Sequence, residues 1–176
     1  MKVLRLRERE RVVVLDGAGS ELLCEVIGLD PRLTLRVLQR STLPPLPFQV
    51  TLLQALTRGK TMDLIVQKAT ELGVSRVVPI LSERIVVQAG EDHGAVKVEK
   101  WEATAIEAIK QCGSPWRPGI EAPLTPQAYL ARTERFDLSL VASLRPDARH
   151  PRQQFESFRA AHQRNPGTIS VWVGPE

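Results

Sequence analysis

The sequence predicts an α/β protein with a parallel sheet, and three observations support this. Two apolar runs, residues 50–56 and 77–81, flank a segment with helical periodicity. The alternation of strand-like and helix-like segments continues to the end of the chain. Residues 1–41 instead carry only short strand-like runs and are followed by a cluster of prolines. Because alternating strands and helices form sheets covered by helices, we expect a small β module and then an α/β domain.

The N-terminal region is predicted to be a β-meander. Its strand-like runs cover residues 12–15, 22–27 and 33–38, and turn-forming residues occupy positions 16–19 and 30–31. This pattern is compatible with a small barrel. So short a segment buries too little surface to be stable alone. The module therefore either packs against the segment that follows it or lacks a strand.

Residues 44–47 form the predicted linker. Pro44, Pro45 and Pro47 cannot pair in a sheet, and they favour a stiff, extended path. We therefore place the first domain at residues 1–43 and the second at residues 48–176.

The second domain opens with a predicted strand–helix–strand unit. Residues 50–56 are too densely apolar for a strand with one wet face, so both faces should be buried. Thr61 is the predicted N-cap, Ile65, Ala69 and Leu72 mark one helical face, and Gly73 is the predicted C-cap. A helix between two buried strands makes those strands parallel.

The carboxyl ends of parallel strands share one edge, where ligands bind. Arg58 and Lys60 follow the first strand, and Ser82, Glu83 and Arg84 follow the second. Together with the free amides of a helix start, these cations favour an anion such as a phosphate. The alternative is that they are solvated loop charges.

The rest of the chain continues the same alternation. We predict a short helix at 124–132, a buried strand at 136–143, an amphipathic helix at 153–162 and a central strand at 168–173. A longer helix is predicted at 96–112, and the residues on its apolar face are Val98, Trp101, Ala105, Ala108, Ile109 and Cys112.

Composition narrows the class of protein. The chain is 43% hydrophobic and 25% charged, as in ordinary globular domains, and no apolar run reaches membrane-spanning length. The N-terminus lacks the apolar stretch of a signal peptide, so a cytoplasmic protein is expected. A net charge of +4, carried mostly by arginine, permits nucleic-acid binding without demanding it.

Cysteine and histidine usage predicts neither disulfides nor metal. Cys24 and Cys112 are far apart and are expected to be two buried thiols. His93, His150 and His162 have no metal-ligand spacing.

Several segments together resemble the RsmE family of the SPOUT superfamily, which methylates N3 of a uridine in small-subunit (16S) ribosomal RNA. The matching stretches are residues 58–62 (RGKTM), 67–74 (QKATELGV), 79–84 (PILSER), 100–101, 107–108, 111–113 and 174–176. The resemblance implies a small PUA-like, RNA-binding β-barrel in residues 1–43. It also implies that residues 48–176 are a SPOUT methyltransferase domain of the trefoil-knot type, which binds S-adenosylmethionine in the family and here lacks its C-terminal knot segment. It also implies a homodimer. Because family members continue past Gly-Pro-Glu, we expect this chain to be incomplete at its C-terminus and at its N-terminus.

The resemblance also places the site residues. It implies cofactor contacts from Leu144, Gly174, Pro175 and Glu176. RNA contacts are expected from five cationic residues, which are Arg5, Arg58, Lys60, Arg84 and Arg117. Trp116, beside the last of these, either stacks on an RNA base or belongs to the core. No residue is identified as the catalytic base.

Two rival hypotheses remain. The protein could bind RNA or the ribosome without catalysing methyl transfer, in which case its RNA affinity falls with salt and it does not bind the cofactor. It could instead be a small-molecule enzyme that holds a phosphorylated metabolite near Arg58 and Lys60.

Overall fold

The computed structural model describes residues 6–57, 60–81 and 93–174. Its elements, in chain order, are β1 (Arg11–Leu15), β2 (Ser20–Gly28), β3 (Thr34–Thr42), β4 (Gln49–Ala55), α1 (Thr61–Glu71), β5 (Arg76–Ile80), α2 (His93–Cys112), β6 (Gly119–Ile120), α3 (Pro126–Leu130), β7 (Leu138–Val141), α4 (Pro151–His162) and β8 (Thr168–Val173). Strands and helices alternate from β4 onward, which confirms the predicted α/β class.

The N-terminal strands form a three-stranded antiparallel sheet in the order β1-β2-β3. The predicted meander is confirmed. One face carries an ion pair between Glu25 and Arg36, and the other buries Cys24 and Val26. Within the described residues these strands do not close into a barrel.

A five-stranded parallel sheet forms the second part, in the order β6-β5-β4-β8-β7. β4 lies at its centre, and Leu53 is fully buried. β8 pairs with β4 on one side and β7 on the other, which confirms the prediction of a central strand at residues 168–173. The parallel pairing of β4 with β5 is also confirmed.

Helices α1 and α2 cover one face of this sheet. Their core contains Met62 and Val66 from α1, Val77 from β5, and Trp101 and Ala105 from α2. The other face packs against α3, where the ring of Tyr129 meets that of Trp172 edge-on at 5.3 Å between centroids. Both faces of the central strands are therefore buried, as their dense apolar sequence predicted.

The structure corrects two details of α1. Leu72, predicted to be buried, is 83% exposed, and the buried residues are Met62, Val66 and Thr70. Thr70 tolerates burial because its hydroxyl donates to the carbonyl of Val66 at 2.7 Å, which a count of apolar residues does not detect.

The predicted N-cap is also wrong. Thr61 is the first helical residue, Lys60 occupies the cap position, and no side chain caps the helix. At the other end Gly73 has a φ of +81°, as a glycine that ends a helix should.

Two burial predictions are wrong in the second half of the chain. The strand predicted to be buried at 136–143 covers only Leu138–Val141 and alternates half-buried with exposed residues, because it lies at the sheet edge. Cys24 is buried as predicted, but Cys112 is exposed at the end of α2.

The meander and the parallel sheet meet at a joint around Trp116. Its indole Nε1 donates to the carbonyl of Leu43 at 3.2 Å, and its ring lies against Gly19. The backbone of Gly19 also donates to Pro115, and that of Arg117 donates to Gly17. These contacts hold Trp116 at the joint between the two sheets, and the residue remains 37% exposed.

Gly19→Ala tests this joint. Gly19 has a φ of +100°, and a β-carbon there would lie 2.4 Å from Trp116 Cζ2. Strain and overpacking together should lower the free energy of unfolding by about 2–4 kcal/mol, measured by urea denaturation. Gly113→Ala is the control, because its φ is +69° with nothing within 4 Å. It should cost only the backbone strain, about 1 kcal/mol. Equal losses would show that the indole contact is unimportant.

Asp137 fixes the start of β8. It accepts hydrogen bonds from Arg164 and from the backbone amides of Gly167 and Thr168. The Arg164 guanidinium, assisted by the two amides, holds the pKa of the Asp137 carboxyl well below its usual range. The charged carboxylate is therefore favoured by folding.

Asp137→Asn should lower the melting temperature at neutral pH. Because the pKa is lowered in the folded state, the stabilisation is complete above the ordinary aspartate pKa near 4 and is lost as the pH falls below it. The difference in melting temperature between wild type and variant should therefore be constant from pH 7 to 5 and shrink below pH 4. Asp147→Asn, in an exposed loop, is the control. A difference that stays constant down to pH 3 would contradict this account.

Candidate functional site

The carboxyl edge of the parallel sheet is the candidate site. Backbone hydrogen bonds continue past the strand ends there, from Leu56 to Ile80 at 2.9 Å and from Ala142 to Trp172 at 2.8 Å. The segments that follow β4, β5, β7 and β8 thus leave the sheet on the same side. Ligands of open parallel sheets bind at such an edge.

Two polar side chains at the end of β4 were not identified from the sequence. Gln54 is only 6% exposed, lies between Pro79 and Val173 in the register, and donates from Nε2 to the Ala55 carbonyl at 3.0 Å. Thr57 carries a solvent-shielded hydroxyl that has no hydrogen-bond partner within the described residues. The sequence signal that could have identified Gln54 is a polar residue inside a strand that is predicted to be buried on both faces.

Two of the expected cofactor residues lie at this edge. Leu144 follows β7 and is 86% exposed, whereas Gly174 follows β8 and is also exposed. Among the described residues, a β-carbon on Gly174 would meet nothing within 4 Å. Since β7 and β8 are neighbours, the two backbones leave the sheet side by side. Pro175 and Glu176 lie outside the described residues.

The expected RNA-contacting residues are divided between the two edges. Lys60, at the start of α1, is exposed at the carboxyl edge. Arg117 precedes β6 at the opposite, amino edge, where its Nη1 lies 3.5 Å from Glu102. The other three, Arg5, Arg58 and Arg84, lie outside the described residues.

A charged network lies away from the carboxyl ends of the strands. Arg76, at the start of β5, contacts Glu121 and Glu134, and Glu134 accepts a hydrogen bond from the Tyr129 hydroxyl at 2.8 Å. Burial, followed by the bond to Glu134, raises the pKa of Tyr129 to about 12. Burial alone would raise the pKa of Glu134, but the bonds from Tyr129 and Arg76 outweigh it and lower that pKa. These contacts join the start of β5 to α3 and to the segment that follows α3.

Neither a metal centre nor a membrane span is found in the described part of the chain. No three potential ligands among the described histidine, cysteine, aspartate and glutamate side chains come together. No described helix is both long and apolar enough to cross a bilayer.

Comparison with known proteins decides the family. Residues 44–176 match the model of the RNA methyltransferase domain. The chain belongs to this family. It is 32% identical over 124 residues to the ribosomal RNA small subunit methyltransferase E of Synechocystis sp., covering 70% of this chain and 40% of that protein. The ribosomal RNA small subunit methyltransferase E of Aquifex aeolicus is 36% identical over 125 residues, and this match covers 70% of this chain and 53% of that protein. The chain spans about half the length of such relatives.

Solved structures of two other proteins share the fold. A ribosomal RNA small subunit methyltransferase E from Neisseria gonorrhoeae, bound to S-adenosyl methionine, matches with a TM-score of 0.76 and 24% identity. The match covers 98% of this chain and 69% of that one. A Legionella pneumophila protein with bound S-adenosyl methionine matches with a TM-score of 0.77 and 21% identity, covering 99% and 78%. The likeness confirms the α/β fold.

Thr57→Val tests whether the buried hydroxyl is a cost to stability. Valine has the same shape and leaves no polar atom unsatisfied, so the free energy of unfolding should rise by about 1 kcal/mol. Thr57→Ser is the control, because it keeps the hydroxyl and loses only a methyl group, and it should not stabilise. Urea denaturation measures both variants. A loss of stability in Thr57→Val would show that the hydroxyl is satisfied.

Proposed function

We propose that the protein methylates N3 of a uridine in 16S ribosomal RNA, with S-adenosylmethionine as methyl donor. The supporting observation is the match of residues 44–176 to the RNA methyltransferase domain. That range contains the whole five-stranded sheet, and its carboxyl edge holds the open backbone of Gly174 beside the segment that follows β7. The relatives named above are called ribosomal RNA small subunit methyltransferases, which supports methylation of this RNA but does not name the nucleotide or the atom.

The domain organisation is part of the proposal. Residues 1–43 contribute to a PUA-like barrel, of which the described meander supplies three strands. Residues 44–47 are the linker, and residues 48–176 belong to the SPOUT methyltransferase domain. We further infer a homodimer in the cytoplasm, on the family resemblance.

Two residues at the carboxyl edge suit contact with the flat aromatic base and the tail of such a cofactor. Leu144 offers an exposed aliphatic side chain, and Gly174 allows close approach to the backbone. These two residues, with Pro175 and Glu176, would hold S-adenosylmethionine. The bound cofactor supplies a methyl group on a positively charged sulfur.

The chain must prepare the uridine for attack. N3 attacks as its anion, so its proton must first pass to a base, for which no residue is identified, and negative charge then lies on the uracil ring until the methyl group is transferred. A cation beside the uracil oxygens stabilises that charge. Lys60 is exposed at the correct edge for this role. Arg58 and Arg84 are proposed beside it on sequence grounds alone.

The remaining RNA contacts would lie elsewhere on the molecule. Arg117 is proposed to contact RNA at the amino edge, where its guanidinium is partly exposed. Arg5 is proposed on the resemblance of its segment to the family.

Nucleoside mass spectrometry tests the activity. Small-subunit ribosomal RNA from the source organism should lose N3-methyluridine when the gene is deleted and regain it when the intact gene is restored. Deletion of an unrelated gene is the control. Persistence of the modified nucleoside after deletion, or its absence from the wild type, would contradict the proposal. Salt-sensitive RNA binding without cofactor binding would then support a non-catalytic protein.

A further inference from the structure

The segment from β7 through α4, residues 142–164, is the most unevenly charged part of the second domain. It holds five arginines against two carboxylates, so it contributes +3 of the chain's net charge of +4. We call it the basic segment. It contains no lysine, and none of its cations was identified as a candidate from the sequence.

Within the basic segment, some arginines already have partners. Arg145 lies 3.1 Å from Asp147, and Arg164 lies 2.7 Å from Asp137. Arg159 donates from Nε to Asn165 at 2.6 Å. Their hydrogen-bonding groups are at least partly used inside the protein.

Arg149 and Arg152 differ from these three. Both are exposed, and neither side chain makes a hydrogen bond or an ion pair to any residue in the described ranges. His150 lies between them and caps α4, because its Nδ1 accepts from the Arg152 amide at 3.2 Å. The cap fixes the start of the helix, so both arginines stand at a defined point. The Arg152 amide already donates to His150. An anion at this point would therefore be attracted by the guanidinium groups of Arg149 and Arg152.

The position of Arg149 and Arg152 in the fold relates them to the candidate site. The basic segment begins where β7 ends, at the carboxyl edge, and Ala142 is hydrogen-bonded to Trp172 near the end of β8. Arg149 and Arg152 therefore follow the same strand end as Leu144. A polyanion that reaches the candidate site from this side meets them.

We propose that Arg149 and Arg152 form a docking site for the phosphate backbone of the RNA substrate. This inference rests on the proposed function and names a contact surface for it. Guanidinium groups bind phosphates through two parallel hydrogen bonds, which suits an arginine-only surface. A membrane surface matches less well, because residues 145–154 contain no large apolar side chain and the exposed aliphatic residues nearby, Val141 and Leu144, precede this run.

Salt-dependent RNA binding tests the docking site. Fluorescence anisotropy with a labelled fragment of small-subunit ribosomal RNA would compare the chain with the double variant Arg149→Gln and Arg152→Gln. Each phosphate contact to a single strand contributes about 0.7 to the slope of log affinity against log salt. The variant should therefore lose about 1.4 from the slope and bind roughly tenfold more weakly near 100 mM KCl.

The matched control removes the same charge elsewhere. Lys68 and Lys110 are exposed and pair with Glu71 and Glu107 on their own helices. The double variant Lys68→Gln and Lys110→Gln has the same net charge, and it should bind RNA nearly as well as the wild type. Circular dichroism melting curves would establish that all three proteins are equally folded.

The outcomes separate this inference from the proposed function. Equal losses in the two double variants would overturn the docking site and leave methylation standing. A loss confined to the arginine variant would support the docking site, even if the intact protein transferred no methyl group. A wild-type chain that binds anionic phosphatidylserine vesicles but not RNA would overturn both.

Discussion

The burial of β4 between β5 and β8 is the constraint on which the rest of the structure depends. Leu53 is fully buried, and each neighbour pairs with β4 in parallel register. A shift of one residue would turn Leu53 and its strand neighbours to the opposite face. The same register brings the segments that follow four strands to one edge. The pairing of β4 with β5 and β8 therefore determines both the fold and the position of the candidate site.

The parts of the fold that the sequence predicted are those whose signal is local. Residues 50–56 and 77–81 read as buried strands because central parallel strands need apolar residues on both faces. β8 was predicted at the residues where it occurs, and the cluster of prolines marked the segment that the structure shows between β3 and β4. None of these inferences required knowledge of a distant partner.

The errors concern properties that only tertiary neighbours decide. β7 is half-exposed because it lies at the sheet edge, and Thr70 is buried because a hydrogen bond to Val66 satisfies it. In the candidate site, Gln54 and Thr57 were not predicted as site residues, because polar residues in or beside an apolar run look like breaks in the strand. Leu144 and Gly174 came from family resemblance alone, and the pairing of β7 with β8 supplies the physical reason why their backbones lie together.

Different parts of the chain lie at the two edges of the parallel sheet. The meander is held at the amino edge by Trp116, whereas Lys60 and Gly174 lie at the carboxyl edge. β4 has seven residues, so the edges are about 20 Å apart. A free nucleotide or a phosphorylated metabolite cannot reach across that distance, whereas a folded RNA can. A molecule that contacted both parts of this chain at once would therefore have to be a polymer, whereas a small metabolite would contact only one edge.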